Sequence, residues 1–310
     1  MLGGYLDVLQ IQRYFYQGIL KPFVYFFCFL NMRKNPNEMN TSNHECKTTD
    51  KKLTASVHSL GCRLNQYEGV SLEGKLREAG YEIVPFGSSA DLGVINTCTV
   101  TNEADAKSRT AIRRFGRKNP EAITVVVGCY SQISANEVAM VEGVDYVIGN
   151  HDKMNFLNYV GDEKPKSPIV IRERINRDDF TIGFVGETYF NQRANLKIQD
   201  GCDFMCSFCV IPFARGRARS RDWCNLFDEV DEMIKKGVRE IVLTGVNLGT
   251  YNSDGKDFLS LIDVLNNIDG LDRIRISSIE PTTIPHQLLE RMADNQHALT
   301  PYLHVPLQSG

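Results

Sequence analysis

The sequence predicts an α/β fold: an N-terminal open parallel α/β sheet domain followed by a partial β/α barrel. Three observations predict it. Short apolar runs alternate with longer amphipathic stretches over residues 52–310, the pattern of strands covered by crossover helices. The alternation is interrupted at 161–168 (GDEKPKSP), where prolines and mixed charges mark a linker. Cysteines recur in the turns after apolar runs. In parallel sheets those turns gather at one edge, where ligands bind.

At 310 residues the chain can bury two cores. Apolar residues make up 42% and charged residues 24%, a globular composition. A net charge of −3 does not mark the whole chain as a nucleic-acid binder, so any basic surface is local. Of nine cysteines, six sit in metal-ligand spacing or context. That usage favours a reducing, cytoplasmic setting over disulfides.

The N-terminus carries an unbroken apolar run at 23–30. A spanning helix needs ~20 such residues, and extension backward meets Pro22, Lys21, Gly18 and Gln17. A signal peptide would place charges before the run and a small-residue cleavage site after it. Neither is clear, and no stable membrane association is expected. Residues 31–52 are polar and read as disordered. Residues 1–51 are therefore read as a disordered or spurious extension, with Met39 as a plausible true start.

The first domain is expected over 52–160. A strand at 53–59 ends in Leu60-Gly61-Cys62. Asn65 is expected to cap the next helix, which runs to about 79 and stops at Gly80. An extended segment follows at 81–85. A strand at 92–96 ends in Thr97-Cys98-Thr99, and a helix at 103–118 closes at Asn119-Pro120. A strand at 123–127 ends in Gly128-Cys129-Tyr130; then come a helix, a strand at 145–148 and a helix at 152–159. Cys62, Cys98 and Cys129 thus each follow a strand and are expected to meet in space. The competing reading is three small buried residues at strand ends. The helix at 103–118 spaces Arg109, Arg113 and Arg117 four apart, beside Arg114 and Lys118. This stripe fits RNA phosphates or an ordinary solvated face. Lys107 and Ser108 are expected nearer the cysteine turns.

A linker over 161–188 leads to the second domain, 189–310. Strands are expected at 194–198, 240–243, 273–277 and 302–305, with helices at 222–236, 256–267 and 285–293. The first strand feeds a loop holding Cys202, Cys206 and Cys209, a Cys-x3-Cys-x2-Cys triplet. Three thiolates leave one iron of a cubane cluster without a protein ligand, and an open metal position invites substrate. Tetrahedral zinc wants four ligands, usually as two close pairs; the nearest spare thiol is Cys224. Phe204 and Phe208 fit this loop or serve as apolar cover. Arg215, Arg217, Arg219 and Arg221 suit phosphate or carboxylate, or pin the loop by ion pairs. Cys28, Cys46 and Cys224 match no ligand pattern.

Residues 196–221 (LKIQDGCDFMCSFCVIPFARGRARSR) resemble the cluster segment of radical S-adenosylmethionine (SAM) enzymes. SLGCRLNQYE (59–68), VINTCTVTNEADAKSR (94–109) and VVVGCYSQ (125–132) resemble the N-terminal domain of the methylthiotransferases. IVLTGVNLGTY (241–251), RISSIEP (275–281) and HVPLQSG (304–310) continue the likeness, which covers 52–310. The resemblance implies a partial radical SAM β/α barrel and two 4Fe–4S clusters. One would be held by Cys202, Cys206 and Cys209, with SAM on its open iron. The other would be held by Cys62, Cys98 and Cys129. Gly245 would allow close approach of SAM and Glu280 would bond its ribose, an ion pair being the alternative for Glu280. His304 and Gln308 are expected to point into the barrel.

The implied activity is methylthiolation of C2 of N6-threonylcarbamoyladenosine at position 37 of tRNA. Its partners are the tRNA anticodon loop, SAM and a low-potential electron donor. The first cluster would pass an electron to SAM, whose cleavage gives a 5′-deoxyadenosyl radical; the second would carry sulfur, and a second SAM the methyl group. The alternatives are a branch acting on isopentenyladenosine or a ribosomal protein, and an inactive cluster-binding fragment. Family members continue with further barrel strands and a small β-barrel RNA-binding domain, so the chain reads as C-terminally truncated.

Overall fold

A computed structural model describes residues 52–175, 177–178, 180–183 and 192–306. The apolar run at 23–30, Met39, Cys28, Cys46 and Gln308 lie outside the described residues.

The first sheet is wholly parallel, in the order β2-β1-β3-β4-β5-β6. Its strands are β1 (Thr54–Ser59), β2 (Glu82–Ile83), β3 (Leu92–Thr97), β4 (Ile123–Gly128), β5 (Tyr146–Ile148) and β6 (Ile169–Ile171). Successive side chains of a strand point to opposite faces, and here both faces are covered. Val94, Val125 and Val127 join Leu72 and Leu76 of the helix Arg63–Glu78 and Phe156 in one core. Ile95, Val126 and Val147 join Ile112 and Phe115 of the helix Asn102–Lys118 and Val138 in the other. The helix expected after β4 is two short ones, Cys129–Ile133 and Ala135–Ala139. The one expected at 152–159 is the 3-10 helix Lys153–Asn158.

The second sheet is also parallel, in the order β13-β10-β7, from β7 (Arg193–Lys197), β10 (Glu240–Thr244) and β13 (Arg273–Ile276). Leu196, Ile241, Leu243, Ile274 and Ile276 pack with Val230 and Met233 of the helix Trp223–Lys235 and with Leu261 and Leu265 of Phe258–Asn266. Two short ribbons, β8 (Gln199–Asp200) with β9 (Arg219–Ser220) and β11 (Asn252–Ser253) with β12 (Lys256–Asp257), are antiparallel. Both sheets lie within one unit, Lys51–Gly310. Among the described residues no helix is long and apolar enough to cross a membrane.

Three expectations need correction. Asn65 does not cap its helix: the N-cap is Cys62, with no side-chain cap. The Asn65 amide turns back instead to donate to the Leu60 and Thr97 carbonyls. The segment read as a linker is partly sheet. Gly161 N–H donates to the Tyr146 hydroxyl, Lys164 Nζ to the Pro120 and Ala122 carbonyls, and 169–171 form β6 beside β5. The fourth barrel strand does not form among the described residues. The chain meets β13 earlier instead, in one bridge from Leu299 to Ile274. Pro301 follows it, cannot donate, and ends the ladder.

Candidate functional site

β1, β3 and β4 are neighbours, so the turns carrying Cys62, Cys98 and Cys129 lie side by side at one sheet edge. Gly61 has φ +94°, and a Cβ on it would stand 2.6 Å from Cys98 Cβ. Only glycine lets the two turns meet so closely. Cys98 and Cys129 are buried and Cys62 is exposed. Burial pushes the Cys98 thiol up, and negative charge on Cys129 and Cys62 adds to the effect. The three thiols are therefore near enough to act on one another's charge.

The second trio lies on the loop between β8 and the helix Ile211–Arg215. Cys202 N–H donates to the Gly216 carbonyl at 3.1 Å, and Cys209 N–H to the Cys206 carbonyl at 3.0 Å. Gly201, at φ +72°, brings its Cα against the Arg217 carbonyl, where a Cβ would stand 2.0 Å away. Burial raises the Cys202 pKa, with further contributions from Cys209, Glu280 and Cys206. Glu280 therefore lies near enough to Cys202 to act on its charge.

Both trios gather thiols whose charges, once ionised, would repel, and iron would relieve that repulsion. Among the described residues the one trio of metal-ligand atoms lying within 4.8 Å of one another is His151, Asp152 and Glu173. Four thiolates on one zinc stand about 3.8 Å apart, from bonds of about 2.3 Å. Neither cysteine trio is drawn in that tightly.

A buried ionic network joins the two cysteine regions. Glu68 has no exposed surface. Its carboxylate meets Lys153 Nζ at 2.5 Å, Lys197 Nζ at 2.8 Å and Arg215 Nη1 at 3.0 Å. Asp200 pairs with Lys197 at 2.6 Å and Arg215 at 3.1 Å. Burial pushes the Glu68 carboxyl up, but Arg215, Lys153 and Lys197 outweigh it and hold it well below the usual range. Asp200 is lowered in the same way. Burial draws Lys153 down to about 8 against the pull of Glu68.

Arg215 Nη2 also donates to Asn65 Oδ1 at 2.5 Å. Asn65 in turn holds the carbonyls of Leu60, at 2.7 Å, and Thr97, at 2.9 Å, beside the Cys62 and Cys98 turns. Asn150 Nδ2 donates to the Ala214 carbonyl at 2.6 Å and lies 3.6 Å from Cys129 Sγ. Asp200 Oδ1 accepts from Gly201 N–H at 2.9 Å, just before Cys202. Hydrogen bonds therefore run from all three N-terminal turns to the second cysteine loop. A further link is Tyr67, whose hydroxyl donates to Glu229 at 2.9 Å, itself paired with Arg221.

The four arginines of the loop divide accordingly. Arg215 and Arg221 are buried ion-pair partners, Arg219 lies 3.4 Å from Asp200, and Arg217 is more open, 3.7 Å from Asp203. Gly245 makes room for Gln199 rather than being open itself. A Cβ there would stand 2.9 Å from Gln199 Oε1, which accepts from Val246 N–H at 2.8 Å and Asn247 N–H at 3.0 Å. Beside it Thr244 Oγ1 and Asn247 Nδ2 are buried without a hydrogen-bond partner. Such orphaned groups suit a polar ligand, and SAM, with its ribose and amino-acid ends, fits that need.

Other expectations fare differently. Phe204 and Phe208 are 37% and 78% exposed, so they are not core cover. His304 is exposed rather than turned inward, because the chain has already left the sheet. Ser108 abuts the Cys98 turn, donating to its carbonyl at 3.3 Å, while Lys107 pairs with Glu103 at the surface. Arg109 is engaged with Tyr130 and Glu137; Arg113 and Arg117 are exposed. Cys224 is exposed, on the helix Trp223–Lys235 rather than on either cysteine loop. Sequence reasoning missed Glu68, Lys153, Lys197 and Asp200. One signal was available: Leu64, Glu68, Leu72 and Leu76 form an i,i+4 stripe on one helix. A carboxylate in an apolar stripe signals a buried partner.

Residues 54–149 match the family described as Uncharacterized protein family UPF0004, and residues 196–310 match the Radical SAM superfamily. A solved structure of the radical SAM methyltransferase TsrM from Kitasatospora setae, with tryptophan and a SAM analog bound, superposes with a TM-score of 0.56. It is 15% identical and covers 82% of this chain and 59% of that one, a likeness of fold. The second half is thus a radical SAM domain. Threonylcarbamoyladenosine tRNA methylthiotransferase MtaB of Bacillus subtilis (strain 168) is 41% identical over 266 residues, 83% of this chain. The same-named protein of Aquifex aeolicus (strain VF5) is 38% identical over 262 residues, also 83% of the chain. The chain is thus similar over 83% of its length to proteins named tRNA methylthiotransferases. It spans 58% of the B. subtilis relative's length and 63% of the A. aeolicus one's.

Proposed function

We propose that the chain is a tRNA methylthiotransferase that modifies C2 of N6-threonylcarbamoyladenosine at position 37 of tRNA. One observation carries the reading: two thiol trios, each on turns that follow strands, are joined through the buried Asn65–Arg215–Asp200 contacts. The likeness to the two MtaB proteins supports the choice of substrate. In this reading Cys202, Cys206 and Cys209 hold one 4Fe–4S cluster, and Cys62, Cys98 and Cys129 hold a second. Thr244, Asn247 and Glu280 would hold SAM beside the first. When bound, these groups supply the one-electron chemistry and the sulfur that an unactivated purine C–H bond requires and no side chain provides.

The chain's own residues do the rest. The Cys206–Cys209 turn presents two thiolates together, and Gly216 fixes the backbone of the third. Arg215 and Asn65 hold the opposing turns at a fixed distance, so the two centres face one substrate without rearranging. Buried Arg215 keeps a positive charge near Cys129 and Cys98. An anticodon loop, with bases already unstacked, suits such a site. A low-potential reductant supplies the electron, and the cytoplasm is the setting: all seven described cysteines are free.

The test is mass spectrometry of nucleosides from tRNA incubated anaerobically with iron- and sulfide-reconstituted protein, SAM and reductant. The 2-methylthio derivative of N6-threonylcarbamoyladenosine is expected. SAM consumed with that nucleoside unchanged would overturn the substrate reading.

A further inference from the structure

We infer that the groove between residues 172–175, with Arg177, and the turn after the helix Ile211–Arg215 is the landing surface for single-stranded RNA. The inference rests on the reading that the substrate is RNA, and it names the surface. A cavity of about 680 Å³ lies there, walled by Arg172, Arg174, Arg177, Arg217, Met205 and Phe213. Among the described residues Glu173 is the one acid on that wall. The chain as a whole carries −3, so this concentration of guanidinium groups is local. Arg172, Arg174 and Arg177 are exposed, and none is paired with a carboxylate among the described residues.

An ordinary solvated face mixes signs and is convex. This wall is concave and basic, and it carries solvent-open apolar side chains. Phe213 is 63% exposed and Met205 54% exposed. Guanidinium groups tracking a backbone, with a ring on which a base can stack, form the combination that binds single strands without reading sequence. A duplex does not offer its base faces to such a ring.

Position ties the groove to the chemistry. Gly216, on its wall, accepts the hydrogen bond of Cys202 N–H. Gln132, also on the wall, lies on the same short helix as Cys129. RNA held here reaches both cysteine turns. The other basic surface, Arg113, Arg114 and Arg117 with Lys118, has no exposed ring among its lining residues. It serves as the charge-matched comparison.

The test is fluorescence anisotropy with a labelled anticodon stem-loop RNA and a blunt RNA duplex, over a range of salt. Arg172, Arg174 and Arg177 are changed together to Ala, and in a second protein Arg113, Arg114 and Arg117 are. All six side chains are exposed, so both proteins should keep the parent's circular dichroism and melting temperature. The groove variant should bind the stem-loop at least tenfold more weakly. Its slope of log K against log salt should fall by about 2, at roughly 0.7 per lost phosphate contact. Phe213→Ala should weaken binding roughly tenfold with the slope unchanged. Equal losses in the two arginine variants, a duplex bound as tightly as the stem-loop, or no binding by the parent would overturn the inference. Because binding is read without turnover, groove-dependent binding with no modified nucleoside would sink the proposed activity alone. Modified nucleoside made by a chain whose groove variant binds as the parent does would sink the groove alone.

Discussion

Glu68 is the residue on which the two halves depend. It is fully buried against Lys153, Lys197 and Arg215. Removing one member of a buried ionic set leaves the others uncompensated, at about 3–5 kcal/mol. Glu68→Gln is therefore expected to lower the unfolding free energy by that order, read from the urea midpoint at unchanged m-value. The same groups set the pH dependence. Glu68 and Asp200 have folded-state pKa values below their unfolded ones, and Glu240, which burial pushes up but three arginines hold down, sits at about 2. A depressed carboxyl stabilises fully above its unfolded value and loses that contribution as pH falls through the folded one. Urea midpoints should thus be level between about pH 5 and 7 and fall steadily toward pH 2. At this scale the six cysteines were legible, because their spacing and their place after strands are written in the chain. Glu68 was not: its partners Lys197 and Arg215 lie 129 and 147 residues away. The roles of Arg215 and Arg221 were left open for the same reason, since burial is a property of the assembled halves.

The glycine-to-cysteine step is the element that shapes the site. Gly61 precedes Cys62 and Gly201 precedes Cys202, both at positive φ, and each passes within contact of a facing turn. Gly61→Ala would drive a methyl group onto the Cys98 side chain, and Gly201→Ala onto the Arg217 carbonyl. Either substitution adds backbone strain of about 1–3 kcal/mol. Each is expected to reduce the iron retained by the neighbouring trio alone while circular dichroism stays near that of the parent. Loss of helix signal in step with iron would show that the turn serves folding rather than the thiols. The strands and main helices could be read from apolar period and Gly or Pro stops. β6 could not: the prolines and charges before it look like a linker, and only Lys164 and Tyr146 reveal that the segment is tied to the sheet. The fourth barrel strand was over-read from an apolar run that Pro301 keeps off the ladder.

At the scale of the whole molecule, two parallel sheets are coupled by polar groups as well as packing. Tyr67 reaches Glu229, and Glu68 reaches Arg215 and Lys197, all of them buried. The two halves are expected to unfold in one transition, with fluorescence of Trp223 in the second half and far-ultraviolet circular dichroism changing together. In Tyr67→Phe/Glu68→Gln the two signals should separate, because each half keeps its own core. Coincident transitions in that variant would mean that apolar contact alone couples the halves. The α/β class and its two-sheet order were legible from alternation, whereas the facing of the two cysteine edges depended on side chains that meet only after folding.

Two clusters on two trios is the central claim, and iron stoichiometry after anaerobic reconstitution tests it most directly. The parent should hold roughly eight irons per chain, four per cluster. Changing Cys62, Cys98 and Cys129 together to Ala should leave about four, and changing Cys202, Cys206 and Cys209 should leave about four. A parent that binds only about four irons, or that takes up zinc in place of a cluster at either trio, would contradict it.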